Sequence, residues 1–457
     1  MRTDISTSSI REFAEYLVSK ALKKDADEAE VYIKSSKNLS IEIKGQKADA
    51  LESSLSFGYS LRVIKDTRLG FSYSTDMGDI RSVVDNAVEA ARWADRDEYL
   101  ELPDPELVSG SDSCSVDIFD PRISSIGEEE AVKRVSLLEK AAYEEDERIK
   151  NIRKARGTFS KTDITIMNSK GIDRQYSSTA CTAQIMAMAE DGLDSQMGWY
   201  FAGSRFLDEV SFEDVGRNAA RRAAQLLGSR RMNAQKTPVI LDNLVAAEFM
   251  GVFASSLSSE NVQKGKSLLS GKIGRKVISQ KISIIDNGLL SGKLGSRPVD
   301  DEGVSSREKT LIKEGLLKGY LYNTYTAKKD GVSSTGNAVK SGFSGLPSVG
   351  ISNLYIEAVS KSDVASLGEL FRASGKCLYV TEAMGIHFVN PISGEFSIGV
   401  SGLWVERGEI EFPVREAVIS GNILSFFENI EASGDDLRFF GNVGAPSLLF
   451  GPTDISA

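Results

Sequence analysis

The texture of the chain changes at Arg231, and that change constrains the fold more than any single motif. Before it, helices and strands follow one another in the same order twice. Ser8 or Ser9 can cap a helix to about Lys23, with Ile10, Phe13, Ala14, Leu17 and Leu22 as its apolar stripe. Period-two runs follow at Glu30–Lys34, Leu39–Lys44, Phe57–Ile64 and Gly70–Ser74, the period of a strand with one buried face. A helix then runs from Asp79 to about Trp93. Residues 99–120 are rich in Pro, Asp and Ser and read as a linker or an ordered crossing loop. The order then recurs. A charged helix spans about Gly127 to Asp146, strands follow at Ala155–Ser160, Asp163–Asn168, Asp173–Tyr176 and Thr179–Ala189, and a helix closes the set at Phe212–Leu227. Asp85-Asn86-Ala87 and Arg217-Asn218-Ala219 fall at similar points of the two closing helices. We read this as an internal duplication, each copy a layer of strands with helices on one face; two unrelated α+β units are the alternative.

Past Arg231, Pro238–Leu241 is a short buried strand and Asp242 can cap a helix over roughly 243–258. From about Ile273 short apolar runs alternate with Gly, Asn, Asp and Ser turns. Val277–Ile285, Leu311–Tyr322, Leu354–Ala358, Cys377–Ala383, Phe396–Glu406 and Val414–Ile419 read as strands. Many short strands with glycine punctuation predict a large, mainly antiparallel sandwich or barrel. The whole is expected to be α+β. Since 457 residues exceed what one core organises, three units are expected: 1–110, 111–231 and 232–457.

Several function classes are disfavoured. Lys and Arg total 55 against 65 Asp and Glu, a formal charge of −10, which disfavours broad contact with a phosphate backbone. Arg217, Arg221, Arg222, Arg230 and Arg231 cluster around one helix and its exit and read as a solvated face. No apolar run approaches the ~18 residues of a membrane span, and Met1–Ser6 lacks an apolar leader, so a cytoplasmic protein is expected. Cys114, Cys181 and Cys377 are too far apart for a CxxC knuckle and odd in number for a disulfide framework.

Chemistry is constrained by the single histidine, His387. An H-E-x-x-H zinc site needs two histidines a helical turn apart and a glutamate base. The helix Asn243–Leu257 offers one carboxylate, Glu248, and neither histidine nor cysteine. A serine or cysteine nucleophile would have only His387 to rely on, and that residue, between a strand and the Asn390-Pro391 turn, reads as structural. Asp300-Asp301-Glu302-Gly303 is the best oxygen-ligand candidate for a hard cation, but polar turn chemistry explains it better. Gly265-Lys266-Ser267 ends like a phosphate loop, yet Glu260 stands where that loop needs glycine. No residue is assigned a catalytic or metal-binding role, and the substrate-binding residues are not specified by the sequence.

Distinct blocks occur in order through the C-terminal half: Arg297-Pro298-Val299-Asp300-Asp301-Glu302-Gly303-Val304, Leu316-Leu317-Lys318-Gly319-Tyr320-Leu321, Thr326-Ala327-Lys328, Ser334-Thr335-Gly336-Asn337-Ala338, the stretch Gly385–Gly408, Ile419-Ser420-Gly421-Asn422 and Gly434-Asp435-Asp436-Leu437. On these blocks the chain resembles the TldD/PmbA family, often labelled modulator of DNA gyrase. The TldD kind carries an H-E-x-x-x-H helix and a later cysteine in a glycine-rich segment, which together hold the metal. Here the corresponding helix, around Glu248–Leu257, has no histidine, and Leu437–Pro446 has no cysteine. The resemblance is thus to the PmbA/TldE kind. It implies a subunit without zinc ligands that pairs with a zinc-bearing TldD-type partner, or forms homodimers, and helps enclose a chamber for unfolded peptide. Holding a peptide by strand addition needs no titrating side chain. A stand-alone hydrolase with a non-zinc site and a regulatory protein-binding factor are the competing expectations.

Overall fold

The computed structural model describes residues 7–105 and 116–456, the side chains of Thr7, Ser8 and His387 excepted. Cys114 and the His387 side chain therefore lie outside the described set. Helix α1 (Thr7–Lys23) leads into strands β1 (Glu28–Lys44), β2 (Lys47–Lys65) and β3 (Arg68–Ser74), then α2 (Ile80–Trp93). After the single turn α3 (Pro121–Ser125) the same series returns: α4 (Glu128–Glu145), β4 (Ile149–Asn168), β5 (Asp173–Asp191), β6 (Asp194–Ser204) and α5 (Phe212–Ala224). All six strands form one antiparallel sheet in the order β3-β2-β1-β4-β5-β6. The two series meet where β1 pairs with β4, from Glu30 opposite Asn168 to Ile43 opposite Ala155.

Alternation decides which face is covered. Val31, Ile33, Leu39, Ile41 and Ile43 of β1 point to the helices, as do Cys181, Ala183, Ile185, Ala187 and Ala189 of β5. The repeat extends to the packing. A Cβ on Gly70 of β3 would lie 1.9 Å from the Ala87 carbonyl oxygen of α2, and a Cβ on Gly198 of β6 would lie 2.2 Å from that of Ala219 on α5. Only glycine lets each helix sit so close. Ala87 and Ala219 are the alanines of the two Asn-Ala pairs that marked the duplication.

Some expected strands merge. The polar run Ser35-Ser36-Lys37-Asn38 does not interrupt β1, because β1 is central and both neighbours pair with it there. Likewise 155–160 and 163–168 belong to one strand, β4, and β6 was not anticipated at all.

The remainder of the chain comprises β7 (Gln235–Leu241), α6 (Asn243–Ala254), α7 (Ser259–Gln263), β8 (Ile282–Asn287), β9 (Glu308–Lys313), β10 (Leu316–Leu317), α8 (Thr324–Asp330), β11 (Ala338–Val339), β12 (Ser348–Val349), β13 (Leu354–Ala358), β14 (Val364–Ala365), α9 (Leu367–Ser374), β15 (Lys376–Met384), β16 (Glu395–Glu406), β17 (Glu409–Asn422), α10 (Ile423–Glu428), β18 (Ile430–Gly434), β19 (Arg438–Phe440), β20 (Val443–Ala445) and β21 (Leu448–Ser456). Strand β7 pairs with β15 on one side and β21 on the other, and β16 and β17 complete a closed ring. A second sheet runs β10-β9-β8-β13-β20-β19. The expected strand Val277–Ile285 begins only at Ile282, since Ser279 turns its backbone N–H to Phe427 and its hydroxyl to the Ile430 carbonyl. Leu311–Tyr322 is broken by a tight turn with positive φ at Glu314 (51°) and Gly315 (76°). Helix α6 lies in the main core, with Val245, Ala246, Phe249, Met250 and Phe253 fully buried. Among the described residues no helix is long and apolar enough to cross a membrane.

The face of the N-terminal sheet opposite its helices meets the second half of the chain. Tyr32, Ile164, Ile166 and Ile172 pack on Val299. Beside them lies a buried charge network. Arg62 donates to Glu30 (2.7 Å) and to Glu302 (2.9 Å), and the Lys340 ammonium lies 3.0 Å from Glu30.

Candidate functional site

One pocket forms where this sheet ends beside the barrel. Strand β6 is the last of its sheet, so one of its edges has no strand neighbour. Met197, Gly198 and Trp199 of β6, Arg222 of α5, Leu226 just past it, Leu244, Val245 and Glu248 of α6, and Thr381, Glu382 and Ala383 of β15 enclose about 150 Å³. Asp242 fixes the corner. It follows β7, caps α6 by accepting from the Val245 N–H (2.9 Å), and forms an ion pair with Arg222. Its own N–H donates to the Val380 carbonyl (3.0 Å), tying α6 to β15. The β15–β16 register slips between Val380 and Glu382, which leaves Thr381 as a bulge. Arg222 also donates to the Thr381 carbonyl. Arg222 thus departs from the solvated face expected of the arginine cluster. Position on a helix does not reveal that another unit packs there; burial works against the guanidinium charge, and the Asp242 carboxylate more than offsets it. Arg217, Arg221 and Arg231 do stay near the surface with acidic partners Asp214, Glu145 and Glu416.

Glu248 makes no hydrogen bond or ion pair with any described residue. Burial, then the nearby Asp242 carboxylate, pushes its carboxyl up to about 7, against the opposing pull of Arg222. A raised carboxyl favours the neutral form in the folded state. The fold therefore loses stability as pH rises from the ordinary value of 4.5 to about 7, and loses no more above that. Glu248→Gln is expected to raise the melting midpoint at pH 8, by about 2 kcal/mol of stability, and to change it little at pH 5. Equal midpoint shifts at the two pH values would contradict this placement of Glu248.

The residues around α6 do not fit a zinc ion. The helix presents Glu248 alone, a cation already stands in the pocket, and among the described residues no three His, Cys, Asp or Glu side chains converge. The other sequence candidates lie elsewhere. Asp300 accepts from the Glu302 and Val304 N–H groups (2.9 Å each), shaping a turn at Gly303. Asp301 accepts from Tyr32 (3.3 Å) and the Lys340 N–H (2.8 Å), while Glu302 takes Arg62, so the three acids face different partners. Ser267 of the Gly265-Lys266-Ser267 run gives its hydroxyl to the Ser256 carbonyl (2.6 Å), as a turn residue would. Cys181 and Cys377 are free and buried, and burial pushes their thiols up to about 12 and about 11, far from reactive thiolates. His387 has its backbone in a short 3-10 turn, Ile386–Phe388, following β15. Sequence reading named Arg222 and Glu248 but assigned neither to a site, and it did not bring the pocket residues together. The Asp191-Gly192 turn before β6 was the available signal for that strand.

Comparison with known proteins places these features in a wider set. The model of the PmbA/TldA metallopeptidase domain 1 matches residues 29–91, that of the central domain 121–227 and that of the C-terminal domain 234–457. The chain is 30% identical to Metalloprotease PmbA of Escherichia coli O157:H7 over 447 residues, covering 96% of this chain and 95% of that one. A Thermotoga maritima protein, described as a proposed modulator of a DNA gyrase, superposes with a TM-score of 0.89 at 27% identity, covering 98% of this chain and 100% of that one. TldE of Thermococcus kodakarensis shares the fold, with a TM-score of 0.88 at 22% identity over 97% of this chain and 100% of that one.

Proposed function

The chain belongs to the PmbA/TldD family of metallopeptidases, and from that membership we propose that it is the zinc-free subunit of a TldD–TldE-type peptidase, walling the chamber and holding unfolded peptide. The observation that carries this reading is α6. The helix that borders the pocket has Glu248 but neither histidine nor cysteine along Asn243–Ala254. An H-E-x-x-x-H pattern laid on it with its glutamate at Glu248 would need histidines at Ala247 and Val252. Zinc and the hydrolytic step then belong to a TldD-type partner in a heterodimer, with a homodimer as the assembly in its absence.

Peptide holding is supported by the free edge of β6 beside the pocket. An extended chain added there would draw on backbone hydrogen bonds, which tolerate many sequences. We also propose a cytoplasmic location, supported by the free, buried Cys181 and Cys377. The test is metal content and peptide cleavage, measured on the chain alone and after mixing with a TldD-type subunit.

A further inference from the structure

We propose that the pocket between β6, α6 and the β15 bulge is a subsite for one positive charge, the ammonium or guanidinium group of a bound peptide. The inference rests on the reading that the chain holds peptide, and it names the chemical group the peptide must present.

The polar groups of the pocket are unevenly committed. Its one cation, Arg222, is spent on Asp242 and on the Thr381 carbonyl. Asp242 is spent in turn on Arg222 and on the α6 N-terminus. Two carboxylates remain without a hydrogen bond or ion pair among the described residues: Glu248 on the wall, and Glu382 exposed at the mouth. Thr381, only 3% exposed, has a hydroxyl with no hydrogen-bond partner. A buried hydroxyl left in that state is costly unless something supplies its partner.

A donor-rich cation answers all three vacancies. It offers N–H groups to both carboxylates and to the Thr381 hydroxyl. The walls suit its stem. Leu226, Leu244, Val245 and Ala383 are apolar, and Trp199 is stacked on Phe201 (centroids 6.3 Å apart, planes 14°), a ring against which a cation is attracted. At about 150 Å³ the space takes the end of one side chain or a terminal amine and not a folded chain. A metal ion is a poor alternative, because among the described residues no three His, Cys, Asp or Glu side chains converge there. The neighbouring edge of β6 would carry the peptide backbone, so one strand-added residue could direct its side chain inward.

Charge also predicts a pH response. The charged groups facing Glu248 are Asp242, Arg222 and Glu382. A bound cation favours ionised Glu248, so binding of a lysine side chain, which stays charged over this range, should tighten between pH 6 and pH 8 and release a proton from that carboxyl.

The experiment is calorimetric titration of the full chain with three pentapeptides: Ac-Ala-Ala-Lys-Ala-Ala-amide, its norleucine counterpart, and penta-alanine amide with a free N-terminus. At pH 7, where the lysine is fully charged and the free α-amine largely so, a charged peptide should bind about tenfold more tightly than the norleucine peptide. A lysine preference identifies a side-chain source, and a free-amine preference identifies the peptide N-terminus. Glu248→Gln should erase the preference, and Glu382→Gln, at an exposed position, should reduce it. Equal affinity for charged and norleucine peptides overturns the charge subsite while leaving peptide holding intact. Binding of none of the three overturns both.

Discussion

Arg62→Ala is expected to destabilise the protein by about 3–5 kcal/mol, the largest single effect in the N-terminal sheet. Arg62 on β2 stands directly opposite Glu30 on β1, and both are buried, at 7% and 1% exposure. Removing the guanidinium leaves Glu302, fully buried, without its cation, and leaves Glu30 with Lys340 alone. A buried charge whose partner is removed costs far more than an intact pair contributes. Because Glu302 and Lys340 belong to the second half of the chain, the loss also loosens its seat on the sheet. The control is Arg81→Ala, at the 95%-exposed partner of Asp85, which should move the urea midpoint hardly at all. If Arg62→Ala and Arg81→Ala unfold at the same urea concentration, the network is not what joins the halves. The network also has a pH sense. Burial works against the Glu30 charge, and Arg62 and Lys340 more than offset it, holding the carboxyl below its ordinary value of 4.5. Its contribution is present above 4.5 and is lost as the pH falls further.

Phe249→Ala is expected to cost a similar 3–5 kcal/mol through the cavity it leaves. Phe249 is fully buried, with Phe396 and Phe426 each 5.5 Å away, and Phe426 stacks on Phe450 at 4.0 Å. It follows Glu248 in the helix, so one side of α6 borders the pocket while the next residue is clamped in the core. A helix held by aromatic packing does not depend on an ion. Chelation should therefore leave the wild-type melting midpoint in place, whereas Phe249→Ala should lower it by many degrees. A chelator that lowers the midpoint as far as the mutation would mean that a metal holds α6.

Local pattern carried the fold further than it carried the site. Period-two alternation located β1 to β5, and the repeated Asn-Ala pairs marked as counterparts the two helices that rest on Gly70 and Gly198. Strand ends were less legible, because a central strand such as β1 carries polar residues through pairing on both sides. Helix α9 was overlooked although Ser366 and Glu369 form a capping box visible at its start. The closure of β7 against both β15 and β21 is a long-range pairing with no local signature. The pocket was illegible for the same reason. It joins Trp199, Arg222, Glu248 and Thr381, which only the docking of sheet against barrel brings together. What sequence did convey about function was the lack of histidine along α6, and the geometry gives that lack its meaning by putting Glu248 beside a committed arginine.

The most direct measurement is zinc content and cleavage of an unfolded peptide, for the purified chain alone and after mixing with a TldD-type subunit. Far less than one zinc per chain and no cleavage alone, with cleavage appearing on mixing and lost on chelation, is the predicted result. One zinc per chain and proteolysis by the isolated chain would contradict the assignment of this protein as the zinc-free subunit.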